Sequence, residues 1–199
     1  MKIYCATGNR GKLREFQLAG ELSAIDIEPL AGLDRIEPPA ENGATFEENA
    51  RLKAVYYSRF APGRLFADDS GLEVDALGGA PGVYSARYAG AHATDRANNA
   101  LLLERLSDKP NRAARFVCVI ALAENGLVRQ TFRGEVEGEI LRDARGAGGF
   151  GYDPFFYFPP FECSFGEVDG PRKFAVSHRG KALRELLKYL LQTESDVIR

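Results

Sequence analysis

The sequence contains few of the residues that build zinc, iron or disulfide centres. Only three cysteines and two histidines occur among its 199 residues, and they have neither paired nor metal-ligand spacing. This scarcity argues against a zinc or iron centre and against a disulfide framework, and it is typical of a reducing compartment. Cys5 and Cys118 lie within apolar, strand-like runs, so we expect both to be small buried side chains. The sequence also offers no convincing Ser-His-Asp or Cys-His arrangement.

Long apolar runs, linkers and an excess of one charge are also missing. No stretch approaches a membrane span, and the apolar stretch 3–6 is too short for a signal peptide, so we expect a cytoplasmic protein. The net charge of -2 argues against sequence-independent binding to long nucleic acid, although it allows a small phosphorylated ligand. With 45% hydrophobic residues the chain can bury a core, and at 199 residues it forms either one large domain or two small lobes. Because no linker divides it, we expect one domain over residues 1–199.

Helix and strand patterns alternate along the chain and predict an α/β protein with a mixed sheet. Strands are predicted over 2–6, 25–30 and 65–68, and helices over 11–22, after Thr45, over 94–106 and after Ser177. Thr45 and Glu48 match a capping box for the second helix. Asn125-Gly126, between the extended segments 115–123 and 128–139, predicts a hairpin with a type I′ turn.

Two adjacent carboxylates, Asp68 and Asp69, are the most informative feature that is present. They end a short apolar run and are followed at once by Ser70-Gly71. A strand that fixes carboxylates beside a glycine turn is a common way to build a metal-dependent site, and the alternative is an ordinary turn with solvated carboxylates. Glu41, in a Pro- and Gly-flanked loop, is either solvated or completes with them an oxygen-ligand set suited to Mg²⁺.

A glycine-containing loop, Thr7-Gly8-Asn9-Arg10-Gly11-Lys12, connects the first predicted strand to the first predicted helix. Such a loop allows backbone N–H groups to face an anion, and Lys12 adds a full positive charge. It is not a Walker loop, because the glycine spacing is too short and no Ser or Thr follows the lysine. The alternative is a tight turn with a solvated lysine.

Two later segments have the composition of a nucleotide site. Phe150-Gly151-Tyr152-Asp153 presents an aromatic side chain between glycines, which favours stacking on a base, with core packing as the alternative. His178-Arg179 begins the last predicted helix, where helix donors and an arginine can bind a carbonyl oxygen or a phosphate. An arginine at a helix start with no such ligand would be equally ordinary.

Taken in order along nearly the whole chain, these segments resemble the inosine triphosphate pyrophosphatase family, the non-canonical purine nucleoside triphosphate (dITP/XTP) pyrophosphatases. The resemblance rests on six segments: 6–15, 45–54, 67–77, 79–88, 148–154 and 177–183. It implies an elongated mixed sheet flanked by helices, with two lobes around a central nucleotide-binding cleft, and a homodimer. It also implies hydrolysis of dITP, ITP and XTP between the α- and β-phosphates, giving a monophosphate and pyrophosphate.

The resemblance assigns roles to individual residues of this chain. Asp69 would bind Mg²⁺ and accept the proton of the attacking water, with Glu41 as a second metal ligand and Asp68 close by. The Thr7–Lys12 loop would hold the triphosphate, and Ser70 would contact the substrate. The residues that would enclose the base and the phosphates are Phe150, Gly151, Tyr152, Asp153, Lys173, His178 and Arg179.

Some positions depart from the family pattern, and other functions stay open. Phe174 and Gly166 replace a polar residue and an alanine, and Asp169-Gly170-Pro171-Arg172 predicts a differently shaped turn before Lys173. A pyrophosphatase for a modified pyrimidine triphosphate is one alternative. A nucleotide sensor without catalysis is another, and a nucleic-acid binding module is the weakest.

Overall fold

Seven strands and five α-helices lie within the part of the chain that the structure describes. The structure is a computed structural model that describes every residue except Leu22, Ala24, Ile198 and Arg199, with the backbone alone over 194–197. The strands are β1 (Lys2–Cys5), β2 (Asp26–Pro29), β3 (Leu65–Val74), β4 (Ala113–Glu124), β5 (Leu127–Ile140), β6 (Phe156–Phe158) and β7 (Cys163–Ser164). The helices are α1 (Arg10–Glu21), α2 (Phe46–Tyr57), α3 (Asp95–Arg105), α4 (Gly170–Val176) and α5 (His178–Val197).

All seven strands belong to one mixed sheet. Its strand order is β2-β1-β3-β4-β5-β6-β7. β1 pairs in parallel with β2 and with β3, whereas β6 pairs antiparallel with both β5 and β7. The predicted α/β fold with a mixed sheet is therefore confirmed. Among the described helices, none is both long and apolar enough to cross a membrane.

The chain forms two compact units. The first contains residues 1–69, 118–134 and 178–199, and the second contains residues 70–117 and 135–177. Because β3, β4 and β5 each supply residues to both, the unit boundaries lie within strands and not in linkers. The single domain and the central cleft stay predictions.

In the first unit, the sheet strands and α5 supply much of the core. Ile3 and Ile27 face each other in the register of β1 and β2, and Phe16 of α1 packs edge-on against Phe66 at 5.0 Å between ring centroids. The apolar face predicted for the last helix is buried at Ala182, Leu183, Leu186, Leu187 and Leu190, whereas Leu191, predicted as part of the same face, is exposed. The capping box of Thr45 and Glu48 is confirmed. The predicted end of α1, Leu22, lies outside the described residues.

Phenylalanine rings fill the core of the second unit. Phe116 and Phe156 lie 4.5 Å apart between ring centroids, and Phe156 and Phe165 lie 5.1 Å apart. Leu72 and Leu102 pack against this cluster. Phe156 and Phe158 of the short strand β6 belong to this cluster, so packing of their rings helps to hold β6 in the sheet.

The predicted hairpin is present. β4 and β5 are neighbours in the sheet, and the two residues between them, Asn125 and Gly126, have φ values of 52° and 79°. Positive φ at both central positions is the signature of a type I′ turn, and a two-residue connection requires antiparallel strands.

The expectation that β3 ends at Asp68 and turns at Ser70-Gly71 is wrong. β3 continues through both carboxylates to Val74, and the N–H of Leu72 donates to Ser85 Oγ at 2.9 Å. The turn propensity of Ser70-Gly71 does not end the strand, because β3 is a central strand that pairs with β1 on one side and β4 on the other. Gly71 serves close packing instead of a turn, since a Cβ there would lie 2.3 Å from Ser85 Oγ.

Replacing Gly71 with alanine is expected to lower the free energy of unfolding by about 1–3 kcal/mol, because the added methyl group overfills the contact with Ser85. Gly170→Ala is the matched control, since a Cβ at Gly170 meets nothing within 4 Å. Urea denaturation of both variants measures the difference. Equal midpoints for Gly71→Ala and the unaltered protein would contradict the close-packing role.

The departures from the family pattern also have structural explanations. A Cβ at Gly166 would lie 2.7 Å from the carbonyl oxygen of Arg145, so even alanine would crowd this position. Phe174 is buried. The segment predicted as a turn starts α4 instead: Asp169 caps the helix by accepting from the N–H of Arg172 at 2.9 Å, and Pro171 occupies the first turn.

Candidate active site

β3 presents Asp68 and Asp69 to two different sets of partners in the first unit. Neighbouring side chains on a strand point to opposite faces of the sheet, so the two adjacent carboxylates make different direct contacts. Both residues are buried. Buried carboxylates require charged or hydrogen-bonding partners, and each has them.

Asp68 lies in a positively charged setting. Its Oδ2 is 2.8 Å from Lys12 Nζ and 3.8 Å from Arg179 Nε. Burial alone would raise the pKa of Asp68, but the charges of Lys12 and Arg179 lower it to about 2. Cys118 Sγ, also buried as predicted, lies 3.8 Å from the same oxygen. Asp68 is therefore ionised and acts as the counter-charge of two cations.

Asp69 has weaker charge compensation and different partners. Its Oδ1 lies 2.9 Å from Lys53 Nζ, and its Oδ2 accepts a hydrogen bond from Asn49 Nδ2 at 3.3 Å. Burial raises the pKa of Asp69 above its ordinary value, although Lys53 and Lys12 oppose the shift. A carboxylate with a raised pKa is a stronger base than Asp68, so Asp69 is the better proton acceptor of the pair.

Glu41 and Asp69 share one cation. Lys53 Nζ lies 2.9 Å from Glu41 Oε2 and 2.9 Å from Asp69 Oδ1, so two carboxylate oxygens converge on a single positive charge. Oxygen donors of this kind fit Mg²⁺, which takes one or two protein carboxylates and completes its shell with water and phosphate. In the part of the chain that the structure describes, no three or more His, Cys, Asp or Glu side chains converge on a metal position.

Asn49 and Lys53 reach the carboxylates from α2, where they stand four residues apart on the same helical face. Asn49 Oδ1 also accepts from the N–H of Gly43 at 2.8 Å and so ties the loop that carries Glu41 to the helix. Burial lowers the pKa of Lys53, but the charges of Asp69 and Asp68 raise this pKa by a larger amount. The net shift is therefore upward. Lys53 therefore stays protonated between the two carboxylates.

The Thr7–Lys12 loop is organised by Asn9. Its Oδ1 accepts from the N–H groups of Gly11 and Lys12 at 2.8 and 3.1 Å, and its own N–H donates to Thr7 Oγ1 at 3.2 Å. Two of the N–H groups that the loop was expected to offer to an anion are thus engaged as a helix cap. The full charge of Lys12, directed at Asp68, is the loop's contribution to the cluster.

The start of α5 brings Arg179 to the cluster. Its Nη1 donates to Glu15 Oε2 of α1. Burial lowers the pKa of Arg179, but Glu15 and Asp68 outweigh it and the pKa is raised, so the guanidinium stays charged. Gly134 of β5 permits this approach, because a Cβ there would lie 2.2 Å from the carbonyl oxygen of His178. His178 is buried beside Arg179.

In the second unit, the predicted base-binding residues gather around Asp153. Its Oδ2 accepts from the N–H of Phe150 at 2.8 Å and from Lys173 Nζ at 2.6 Å. Lys173 Nζ also lies 4.8 Å from the centre of the Phe150 ring, a cation–π distance. Tyr152 is part of the phenylalanine core, and its hydroxyl donates to the carbonyl of Ser85 at 2.8 Å, while its contact with a substrate stays a prediction. Ser70 is half-buried on β3.

Three residues join the first-unit cluster without having been predicted to do so: Lys53, Asn49 and Glu15. Asn49 and Lys53 interleave with the apolar residues Ala50 and Ala54 on α2. This polar pair next to the buried positions of an amphipathic helix is the sequence pattern that could have identified Asn49 and Lys53 as members of the cluster. The pattern around Glu15 gave no comparable signal, since a charged residue on a short helix is usually solvated, and its only indication was its place in segment 6–15 of the family resemblance.

The fold and the charge cluster define an α/β protein with paired carboxylates and cations that suit a phosphorylated ligand. The chain belongs to the Ham1 family, whose model matches residues 3–189. It is 49% identical to the dITP/XTP pyrophosphatase of Acidobacterium capsulatum, covering 96% of this chain and 98% of that protein. It is 50% identical to a dITP/XTP pyrophosphatase of Thermus thermophilus, covering 94% and 91%. The predicted family is thereby confirmed.

Solved structures agree with this assignment. A HAM1 protein from Coxiella burnetii superposes with a TM-score of 0.87 at 41% identity, covering 96% of this chain and 99% of that one. A Mycobacterium abscessus protein described as nucleoside-triphosphatase / dITP/XTP pyrophosphatase has a TM-score of 0.74 at 42% identity, covering 94% and 99%.

Proposed function

We propose that this protein hydrolyses the non-canonical purine nucleoside triphosphates dITP, ITP and XTP to a monophosphate and pyrophosphate, and so removes deaminated purines from the nucleotide pool. The observation that carries the proposal is the buried Asp69 carboxylate, which has a raised pKa and lies beside a second carboxylate and a lysine. The names of the close relatives support the same reaction.

We propose Mg²⁺ as the cofactor, with Asp69 and Glu41 as its protein ligands and Asp68 close by. The support is the donor set: two carboxylate oxygens already share one cation, and both are hard oxygen ligands. When bound, the ion would neutralise charge that develops on the phosphates. Because the positive charges of Lys53 and the ion repel each other, the Lys53 side chain would then either move away from the two carboxylates or turn toward the substrate.

The chain's own residues would carry the proton transfer and the phosphate binding. Asp69 accepts the proton of the attacking water on a carboxylate oxygen, and the burial that raises its pKa favours this transfer. Lys12 and Arg179 offer positive charge to the phosphates, and Asp68 keeps both of them oriented. Positioning and charge neutralisation of this kind are the main requirements of phosphoryl transfer.

Recognition of the base is proposed for the second-unit residues. Phe150 would stack on the purine, and Lys173 would supply a donor for a 6-oxo group while Asp153 holds it in place. An adenine amino group would leave such a donor unpaired, which is costly in a desolvated pocket. We also propose that His178 and Arg179 contact the substrate.

The reaction is tested by incubating dITP, XTP, dATP, dGTP and a modified pyrimidine triphosphate with the enzyme, with Mg²⁺ or with EDTA, and separating the products by anion exchange. We expect monophosphate and pyrophosphate from dITP and XTP only, and only with the metal. A diphosphate and phosphate would mean that the wrong bond has been assigned. Tight binding of dITP without turnover would favour the sensor, and turnover of a modified pyrimidine triphosphate instead would favour that alternative.

We also propose a homodimer in the cytoplasm, on the strength of the family resemblance. Light scattering on the purified protein tests the dimer, and a single species at the chain mass of 21.8 kDa would contradict it.

A further inference from the structure

Two side chains of α2 connect Asp69 with the loop that carries Glu41. Lys53 does so through its charge, with Nζ 2.9 Å from Glu41 Oε2 and 2.9 Å from Asp69 Oδ1. Asn49 does so through a neutral amide, whose Nδ2 donates to Asp69 Oδ2 at 3.3 Å and whose Oδ1 accepts from the N–H of Gly43 at 2.8 Å. The two connections therefore use different oxygens of the Asp69 carboxylate.

These two connections respond differently to a metal ion. An ion held by Asp69 and Glu41 would take the place of the Lys53 ammonium, because two positive charges repel at short distance. The Asn49 amide has no net charge, so the ion does not repel it. Its Nδ2 can still donate to Oδ2 of Asp69 when the other carboxylate oxygen contacts a metal. Asn49 is thus the connection that can persist with and without the ion.

The packing around Asn49 keeps the loop close to α2. The Asn49 side chain is buried near the start of the helix, whose N-terminus is capped by Thr45. A Cβ at Gly43 would lie 2.7 Å from Asn49 Oδ1 and 2.8 Å from Glu48 Cβ, so a larger residue would push the loop away from the helix. The buried amide and the glycine together set the distance between the loop and α2.

We propose that Asn49 is a positioning residue, which keeps Asp69 and the loop of Glu41 at the spacing that Mg²⁺ requires when Lys53 leaves the site. This role rests on the proposed function, in which Asp69 and Glu41 are the metal ligands. Mg²⁺ demands near-ideal octahedral geometry, so its affinity depends on how firmly its ligands are held. Groups that orient metal ligands without touching the metal act in this way.

Asn49→Ala and Gly43→Ala test this role, with Asn98→Ala as the matched control. Asn98 is also a buried asparagine, but its Oδ1 accepts from the N–H of Ala89 and its Nδ2 donates to the carbonyl of Ala86, both in the second unit. Initial rates with saturating dITP are measured over a range of free Mg²⁺ concentrations. In both test variants we expect the Mg²⁺ concentration for half-maximal rate to rise about tenfold to a hundredfold.

Two further quantities separate positioning from a general loss of stability. At saturating Mg²⁺, KM for dITP should stay near that of the unaltered protein in both test variants, because neither residue is proposed to contact the substrate. Asn98→Ala should lower the thermal midpoint and leave the Mg²⁺ requirement unchanged.

Amide hydrogen exchange over residues 41–45 of the metal-free protein provides a readout that needs no turnover. Exchange should be faster in Asn49→Ala than in the unaltered protein and Asn98→Ala, because the Gly43 amide loses its acceptor. Unchanged exchange would overturn the positioning role. If Asn49→Ala does not fold, the Mg²⁺ requirement of Gly43→Ala decides in its place.

The rates also distinguish failure of this role from failure of the proposed function. If the unaltered protein needs Mg²⁺ for turnover and the folded test variants need no more of it, the positioning role is overturned and the proposed function stands. If the unaltered protein does not hydrolyse dITP, or hydrolyses it equally well in EDTA, the proposed function or its metal is wrong, and the role of Asn49 is overturned with it.

Discussion

Asp69→Asn is expected to lower kcat with dITP by about a thousandfold or more, the upper range for loss of a general base. The carboxamide cannot accept a proton, and it removes one negative charge from the pair that holds Lys53. The fold should persist, because the carboxamide oxygen still accepts from Lys53 and Glu41 remains as its counter-charge. Steady-state kinetics at saturating Mg²⁺ measure the loss.

Glu41→Gln is the matched comparison for Asp69→Asn. It removes the same charge from the same lysine, yet Glu41 is proposed only as a metal ligand and not as the proton acceptor. We expect a smaller loss that excess Mg²⁺ partly restores, whereas Asp69→Asn should not recover. Circular dichroism confirms that both variants are folded. A near-normal rate in Asp69→Asn would remove Asp69 from the chemistry.

Lys173→Met is expected to lower the free energy of unfolding by about 3–5 kcal/mol. Lys173 Nζ and Asp153 Oδ2 lie 2.6 Å apart, and their side chains are only 5% and 3% exposed. Methionine preserves most of the volume but leaves the Asp153 carboxylate buried without its lysine. Urea denaturation followed by circular dichroism measures the change.

A second substitution separates lost charge pairing from lost packing. Adding Asp153→Asn to Lys173→Met removes the remaining buried charge, while the carboxamide oxygen still accepts from the N–H of Phe150. We therefore expect the double variant to be more stable than Lys173→Met alone, even if the single variant is largely unfolded. Equal or lower stability of the double variant would show that the ion pair is not the main contribution.

Much of the fold was readable from local patterns. The Asn125-Gly126 turn, the Thr45–Glu48 capping box and the apolar face of α5 each depend on residues close together in the sequence. The end of β3 could not be predicted from local patterns, because the continuation of the strand beyond Asp68 depends on the neighbouring strands and on the contact with Ser85. The local turn propensity of Ser70-Gly71 predicted that the strand would end before these residues.

The sequence by itself determined the family, the mixed α/β fold and the adjacent carboxylates, because these follow from ordered motifs and short-range periodicity. Only the tertiary structure decided which charges meet. Lys53 and Asp69 are 16 residues apart, Gly151 and Asp95 are 56 apart, and Arg179 and Glu15 are 164 apart. Contacts at such separations depend on how helices pack on the sheet. Burial raises the pKa of both carboxylates, and their different cationic neighbours then leave the pKa of Asp68 lowered and that of Asp69 raised.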